Sequence, residues 1–469
     1  MGNSQSADDG AAEHANGPNA RRVWGRRSES VEKCILFPDG SAYFGQVEGD
    51  SREGFGVFIS IDNWELEGSW KNDQLHGKAL CIKPDGSEWV QFYEKGTLDS
   101  ETVIERRENP RKMEQAVPHI LSSRASSRSV TPSSSSTDLV DLRGDTKLRT
   151  RFLASFASAR LSTPHSSTSK LYKPRRPSDA SSWLIPFEQI DFNHPISFSN
   201  SQYCSVVYHA TWIGKEVAVR MFQRPPGPLN KPVLDILSRM ARIRHPNIAL
   251  FMAASINESD GRFAILTEYI PNGSLDKVLT KHVPLSTQSI LHVTKSIGVA
   301  CAYLRKQGFY HGNLRPANVL IDISGNVKLT DYFVKDFEEL FHPSPCVRST
   351  VAYIAPEALR RIPFVPFGVD TASDVYSFGM ICDQILSGIK PLKQFSVPQI
   401  RALVGYGGYR EPRDSRSNSV ALDKLIQKCT LQNPKSRPTF ERLVIALNSL
   451  QNSANSAAED ALITFISGK

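Results

Sequence analysis

No stretch of this 469-residue chain approaches 18 uninterrupted apolar residues, so nothing in it reads as a membrane span. The N-terminus lacks the apolar core of a secretory leader. Cysteine is sparse: seven residues (34, 81, 204, 301, 346, 382 and 429), odd in number and never at metal-ligand spacing. That excludes a disulfide framework and a zinc site, and it points to a reducing, cytosolic compartment. Gly and Pro, 29 each, are too few for a collagen-like chain. What is present is ample core material: 40% hydrophobic and 22% charged residues, enough for two or three folded units.

The net charge is +8, and residues 105–180 carry all of it, with 15 Lys/Arg against 7 Asp/Glu. This segment is Ser-rich and poor in aromatics, so it reads as a disordered linker over 101–182. Its charge suits an anionic membrane surface, at about 1 kcal/mol per Lys/Arg. Nucleic acid is not expected, because no aromatic platform is interleaved. Lys147 to Leu161 has the pattern of a basic amphipathic helix, with Leu148, Phe152 and Phe156 on one face. Residues 1–30 read as a disordered tail that begins Met1-Gly2-Asn3-Ser4-Gln5-Ser6, which fits an N-myristoylation acceptor at Gly2. One acyl chain holds a bilayer weakly, and Arg21, Arg22, Arg26 and Arg27 supply a second signal. Together these features predict the cytoplasmic face of a membrane. Ser129, Thr131 and Ser178 lie in basic or proline-directed contexts that look like kinase targets. A few phosphates there would cancel the +8 and release the linker from lipid.

Residues 31–100 repeat with a period of 23. Asp39-Gly40, Asp62-Asn63 and Asp85-Gly86 share one phase, as do Tyr43, Leu66 and Trp89, and Val47, Trp70 and Tyr93. Asp-Gly steps suit tight turns, and the flanking alternation suits strands, so each unit predicts a β-hairpin that stacks on the next. The run Leu66-Glu67-Gly68-Ser69-Trp70-Lys71-Asn72 with His76-Gly77-Lys78 resembles the MORN repeat. That resemblance implies membrane surfaces and protein partners.

From Trp183 a second series begins. Val217-Ala218-Val219-Arg220, Arg244-His245-Pro246-Asn247-Ile248, Thr267-Glu268-Tyr269, His311-Gly312-Asn313-Leu314-Arg315-Pro316-Ala317-Asn318, Asp331-Tyr332-Phe333, Ala355-Pro356-Glu357, Asp374-Val375-Tyr376-Ser377-Phe378-Gly379 and Arg437-Pro438-Thr439-Phe440 follow in order. The series resembles a protein kinase domain over 183–452, with 453–469 as a tail, and the resemblance implies that Arg437 pairs with Glu357. The expected fold class is therefore α+β: a bilobal kinase-like domain preceded by a β-hairpin array and a disordered basic linker.

The resemblance assigns roles, and several are filled by the wrong residue type. The three glycines of the phosphate loop fall at Asn200, Gln202 and Ser205. The phosphate-gripping lysine is Arg220, whose planar fork is not equivalent. The helix glutamate that should pair with it is Ile236, with Asp235 turned off that face. The proton acceptor is Asn313, and an amide accepts no proton at neutral pH. The neighbouring lysine is Arg315. Phe333 replaces the glycine after Asp331. Asn318 and Asp331 survive as metal donors. Val207, Ala218, Thr267, Glu268, Ile270 and Leu320 would still line a nucleotide pocket, and His311, Tyr332 and Met240 would still stack into the regulatory spine. On this reading the chain is a pseudokinase, not an enzyme, with no cofactor expected and ATP held, if at all, without turnover. A slow kinase and a MORN-based membrane organiser are the rival readings. Leu250-Phe251-Met252, Arg220 and Val404-Gly405-Tyr406-Gly407 resemble the RAF and KSR branch of tyrosine-kinase-like kinases. That likeness implies a scaffold that recruits or regulates a protein partner, such as an active kinase. It also implies homo- or heterodimers through Arg244. Ser349 and Thr350 are candidate phosphosites in the activation segment.

Overall fold

A computed structural model of the chain describes residues 22–25, 32–84, 86–94, 97–103, 183–198, 205–281, 285–341, 351–360, 368–411 and 420–452. Gly2, Ser129, Thr131, Ser178, Ser349, Thr350, Asn200, Gln202, the 147–161 stretch and nearly all of the linker and tail lie outside the described residues.

The repeats form one antiparallel eight-stranded sheet in simple sequential order. Its strands are β1 (Arg22–Gly25), β2 (Glu32–Leu36), β3 (Ala42–Glu48), β4 (Ser51–Ile59), β5 (Glu65–Lys71), β6 (Gln74–Ile82), β7 (Glu88–Glu94) and β8 (Thr97–Val103). The sheet thus outruns the 31–100 expectation at both edges. The Asp-Gly phase makes the turns: Phe37, Ser60 and Lys83, spaced by 23, donate their N–H groups to the carbonyls of Ser41, Trp64 and Ser87 at 3.0, 2.8 and 2.9 Å. Gly40 and Asn63 take φ of +91° and +64° there, the left-handed region that Gly and Asn tolerate best. One face buries Ile35, Tyr43, Val47, Trp70, Leu75 and Ala79 together. No single hairpin could bury that cluster, so stacking supplies the stability.

The kinase domain begins with a six-stranded sheet in the order β10-β11-β12-β14-β13-β9. These are β9 (Leu184–Ile185), β10 (Ile190–Phe198), β11 (Val206–Trp212), β12 (Lys215–Gln223), β13 (Phe251–Asn257) and β14 (Arg262–Glu268). The helix Lys231–Met240 packs beneath it. Asn230 caps that helix by accepting from Val233 N at 3.2 Å, and Val233, Leu237 and Met240 are its buried face. The lower lobe is built on the helices Thr287–Lys306, Thr371–Ser387, Val420–Cys429 and Phe440–Asn452. A short hairpin, β15 (Val319–Ile321) with β16 (Val327–Leu329), presents the catalytic-loop side of the cleft. One continuous apolar core runs from Val233 and Leu237 through Tyr332 and Phe337 to Phe440 and Leu447. The α+β bilobal expectation is met. No helix among the described residues is long and apolar enough to cross a membrane.

Candidate active site: the interlobe cleft

β-Sheet register decides which residues face the cleft. Val207 sits opposite Arg220, and Ala218 opposite both His209 and Thr267, so these side chains share one face. Val207, Ala218 and Leu320 are half-buried, and Thr267 and Ile270 are buried. Of these, Val207, Ala218 and Thr267 form one wall of the sheet beside Arg220. Glu268 is engaged elsewhere. Its backbone N–H donates to Leu250 O, and its carboxylate accepts from Leu250 N at 2.8 Å and Lys328 Nζ at 2.6 Å.

At the far end of the wall, Arg220 crosses to the lower lobe. Its Nε donates to Asp331 Oδ1 at 2.9 Å, its Nη2 donates to Asp331 Oδ2, and its Nη1 donates to Ser205 Oγ at 2.8 Å. Both carboxylate oxygens are therefore taken in a bidentate pair, and only 14% and 7% of the two side chains is exposed. The Lys231–Met240 helix leaves Ile236 half-buried against the core and Asp235 in solvent. Among the described contacts, Arg220 thus finds its carboxylate at Asp331. Ser205, expected only to hinder a phosphate loop, instead anchors this arginine.

Phe333 is locked by aromatic packing. It meets Tyr332 edge-on at 5.4 Å and Phe337 at 6.2 Å. Phe337 in turn packs on Phe222, Phe263 and Phe341 at 5.7, 5.2 and 5.8 Å. Phe333, Phe337 and Phe341 stand four apart, so Phe337 and Phe341 share one face of the helix Val334–Phe341 and Phe333 leads into it on the same side. That spacing was readable in the sequence and predicts the helix, which motif alignment missed.

The catalytic loop is held from below. Asp374 accepts the N–H groups of His311 and Gly312 at 2.6 and 2.8 Å. Burial pushes its carboxyl up to about 7, against the lowering effect of those bonds. Burial also pushes His311 down to about 4, with the Asp331 charge opposing. Asn313 is half-buried and donates its N–H to His311 Nδ1 at 3.3 Å, while its carbonyl accepts from Asn318 Nδ2 at 2.7 Å. Arg315 is half-buried in the same loop. Gly312, at φ +67°, has no room for a β-carbon, because the Lys335 side chain fills that space. Lys335 is buried, pairs with Asp336 and lies 4.1 Å from the Tyr310 ring centre. It therefore brings a cation under the catalytic loop from the activation segment, a feature with no motif to announce it.

At the metal end of the cleft the Asp331 carboxylate is taken up by Arg220 in this conformation, so it does not fit a divalent cation until that pair opens. Asn318 donates through Nδ2, a bond that does not engage the Oδ1 atom a cation would use. The scaffold pair expected from the motifs is present: Arg437 holds Glu357 through two bonds at 2.7 and 2.8 Å. His311, Tyr332 and Met240 are all buried, as expected. Arg244 is exposed and folds its Nη1 onto Ile243 O at 2.7 Å.

Known proteins give the family. The protein tyrosine and serine/threonine kinase profile matches residues 200–447, and the MORN repeat matches 43–64 and 67–88. Serine/threonine-protein kinase 12 of Arabidopsis thaliana is 29% identical over 273 residues, covering 56% of this chain and 57% of that protein. Serine/threonine/tyrosine-protein kinase HT1 of the same plant is 28% identical over 251 residues, covering 52% and 62%. A probable serine/threonine-protein kinase of Dictyostelium discoideum is 30% identical over 244 residues, covering 51% and 14%. The chain spans less than two thirds of each of these relatives. The comparisons overturn the expectation that this is not an enzyme, because the matched family is one of kinases and these relatives are named as kinases. The physical reason is one of scale. A positioned base contributes about 10²- to 10⁴-fold, a fraction of a typical enzymatic acceleration, so an amide at Asn313 does not by itself exclude an enzyme. The chain belongs to the protein tyrosine and serine/threonine kinase family.

Proposed function

We propose that this chain is a serine/threonine-type protein kinase of low turnover, which admits ATP when the Arg220–Asp331 pair opens. The supporting observation is the shared sheet face of Val207, Ala218 and Thr267, with Arg220 on the same face meeting Asp331 of the lower lobe. Opening the pair frees a guanidinium for phosphate oxygens and a carboxylate for a metal in a single motion. Asn313 orients the acceptor hydroxyl as a hydrogen-bond partner without taking its proton. The test is phosphate transfer from labelled ATP to serine and threonine peptides by the full chain. Asn313→Asp should raise the rate at least about tenfold, since it restores a base. Arg220→Ala should remove it. If the full chain and Asn313→Asp both stay at the Arg220→Ala background, the reading fails.

The same chain is proposed to act at the cytoplasmic face of an anionic membrane, where it also recruits or regulates a signalling partner. The charge confined to residues 105–180 and the Gly2 acceptor pattern support this reading. Gly2→Ala should shift the protein off membranes in fractionation. Phosphomimetic changes at Ser129, Thr131 and Ser178 should weaken binding to anionic liposomes, and unchanged binding would sink the electrostatic switch.

A further inference from the structure

The MORN sheet sits on the lower kinase lobe through one patch. Cys34, Leu36 and Ala42 from β2, its turn and β3 form a buried cluster with Ala402 and Leu403, and Phe44, Phe395 and Tyr409 pack on it. Phe44 stacks on Tyr406, with ring centres 5.7 Å apart. The first Asp-Gly turn is gripped by its carbonyls: Ser396 Oγ donates to Gly40 O, and Gln399 Nε2 donates to Phe37 O at 3.1 Å. In the centre, Arg401 Nη2 and the Tyr406 hydroxyl donate to the two oxygens of Glu65 at 2.6 and 3.0 Å. The Arg401 and Glu65 side chains are 1% and 4% exposed. Burial first, then the Glu65 charge, push the Tyr406 hydroxyl up, so it stays a donor. A pair this buried fixes register, because any slip would strand a charge. Ala42, Glu65 and Glu88 share one phase of the 23-residue repeat, and Glu88 is buried too.

Arg401 also faces the kinase machinery. Its Nε donates to Leu359 O at 3.3 Å, and Arg360 Nη1 donates to Gly405 O at 2.9 Å. Leu359 closes the helix Pro356–Leu359, which carries the Glu357 that pairs with Arg437 and accepts from Ser373 Oγ at 2.8 Å. Residues Arg401–Tyr406 form a π-helical stretch, a geometry that recurs at functional sites.

We propose that the lower-lobe surface of residues 395–409 is a docking site for the chain's own MORN array, and that docking holds the end of the activation segment in place through Glu65, Arg401 and the Leu359 carbonyl. The array is thereby a regulatory part of the kinase domain. This holds whatever the rate of phosphate transfer, so its test uses no activity readout. Hydrogen exchange of the full chain is compared with Glu65→Gln and with Phe44→Ala. Amides of 397–406 and 356–360 should exchange about tenfold faster or more in both variants, while 206–223 stays unchanged. Faster exchange confined to residues 32–71, or none, overturns the proposal. Should Glu65→Gln fail to fold, Phe44→Ala carries the same comparison, since it removes the ring stacked on Tyr406 from the docking patch and leaves no new unpaired charge. Light scattering should give a monomer near 52.1 kDa. A dimer whose dissociation on dilution speeds exchange at 397–406 would put a second copy's array in the site and overturn the assignment to the same chain.

Discussion

Two buried arginine–carboxylate pairs lie in the same domain and have opposite histories. In the lower lobe, Arg437 meets the Glu357 that the kinase pattern assigns to it. In the cleft, Arg220 meets Asp331, which that pattern assigns to a metal. The first pair ties the short helix Pro356–Leu359 to Arg437, just before the last helix, and lies within the lower lobe. The second joins the two lobes across the cleft. The chemistry is the same, so location decides the role. A pair that spans only scaffold can be permanent, whereas a pair that spans a cleft must open if, as proposed, ATP is to enter.

Five measurements break or sharpen this contrast. The largest effect should come from Arg437→Ala, which leaves Glu357 buried and unpaired and should lose about 3–5 kcal/mol in denaturant unfolding. A loss under about 1 kcal/mol would mean the pair is not part of the scaffold. The floor beneath the cleft should respond to acid next. His311 is held neutral with its pKa lowered from its ordinary value to about 4, so its contribution is present above about 6.5 and fades as pH falls toward 4. Its full size is up to about 3 kcal/mol. Asp374 has the opposite sign: raised to about 7, it contributes stability at low pH that is lost as pH rises through 7. The two slopes oppose each other in the intact chain, so the profile should be shallow there. His311→Phe should remove one slope and leave stability falling with rising pH. An unchanged profile would show that the histidine is not buried neutral.

The closure itself is read by ligand. ATP at a hundred times its Kd should stabilise the chain by about 2.7 kcal/mol in thermal unfolding. Because ATP entry, on the proposed function, opens the Arg220–Asp331 pair and frees the carboxylate, the shift should be larger with Mg²⁺ than without it. An ATP shift indifferent to Mg²⁺ would show that the pair stays closed over bound nucleotide, and no shift at millimolar ATP would mean the cleft admits no nucleotide. At the helix beside the cleft, Asn230→Ala should lose about 1 kcal/mol, the typical value of an N-cap. Smallest of all, Arg305→Ala breaks the exposed Arg305–Glu441 pair and should change stability by less than about 1 kcal/mol. A larger loss would mean that solvent exposure is a poor guide to the worth of pairs in this lobe.

Much of the architecture was legible because it rests on local rules. The 23-residue phase of Asp-Gly steps names the turns, and the order of kinase landmarks names the lobes and the Glu357–Arg437 pair. The cleft was legible only as a set of substitutions. Each departure from the kinase pattern, at 220, 236, 313, 315 and 333, could be named, yet none said where the displaced partner goes. Ser205 and Asp331 both turn to Arg220, and Lys335 fills the space beside Gly312 that a β-carbon would need. Such exchanges are set by which side chains converge in space, and one-dimensional alignment carries no term for that.

By itself the sequence determined the β-hairpin repeat, the kinase fold and the family, because turn chemistry, strand alternation and ordered motifs are properties of short segments. Only the tertiary structure decided that Arg220 closes on Asp331. It also decided that Glu65 and Arg401, 336 positions apart, join the repeats to the lower lobe. The reason is that a buried charge must find a counter-charge wherever the folded chain places one, and that partner is chosen by packing across the molecule rather than by neighbours along the chain.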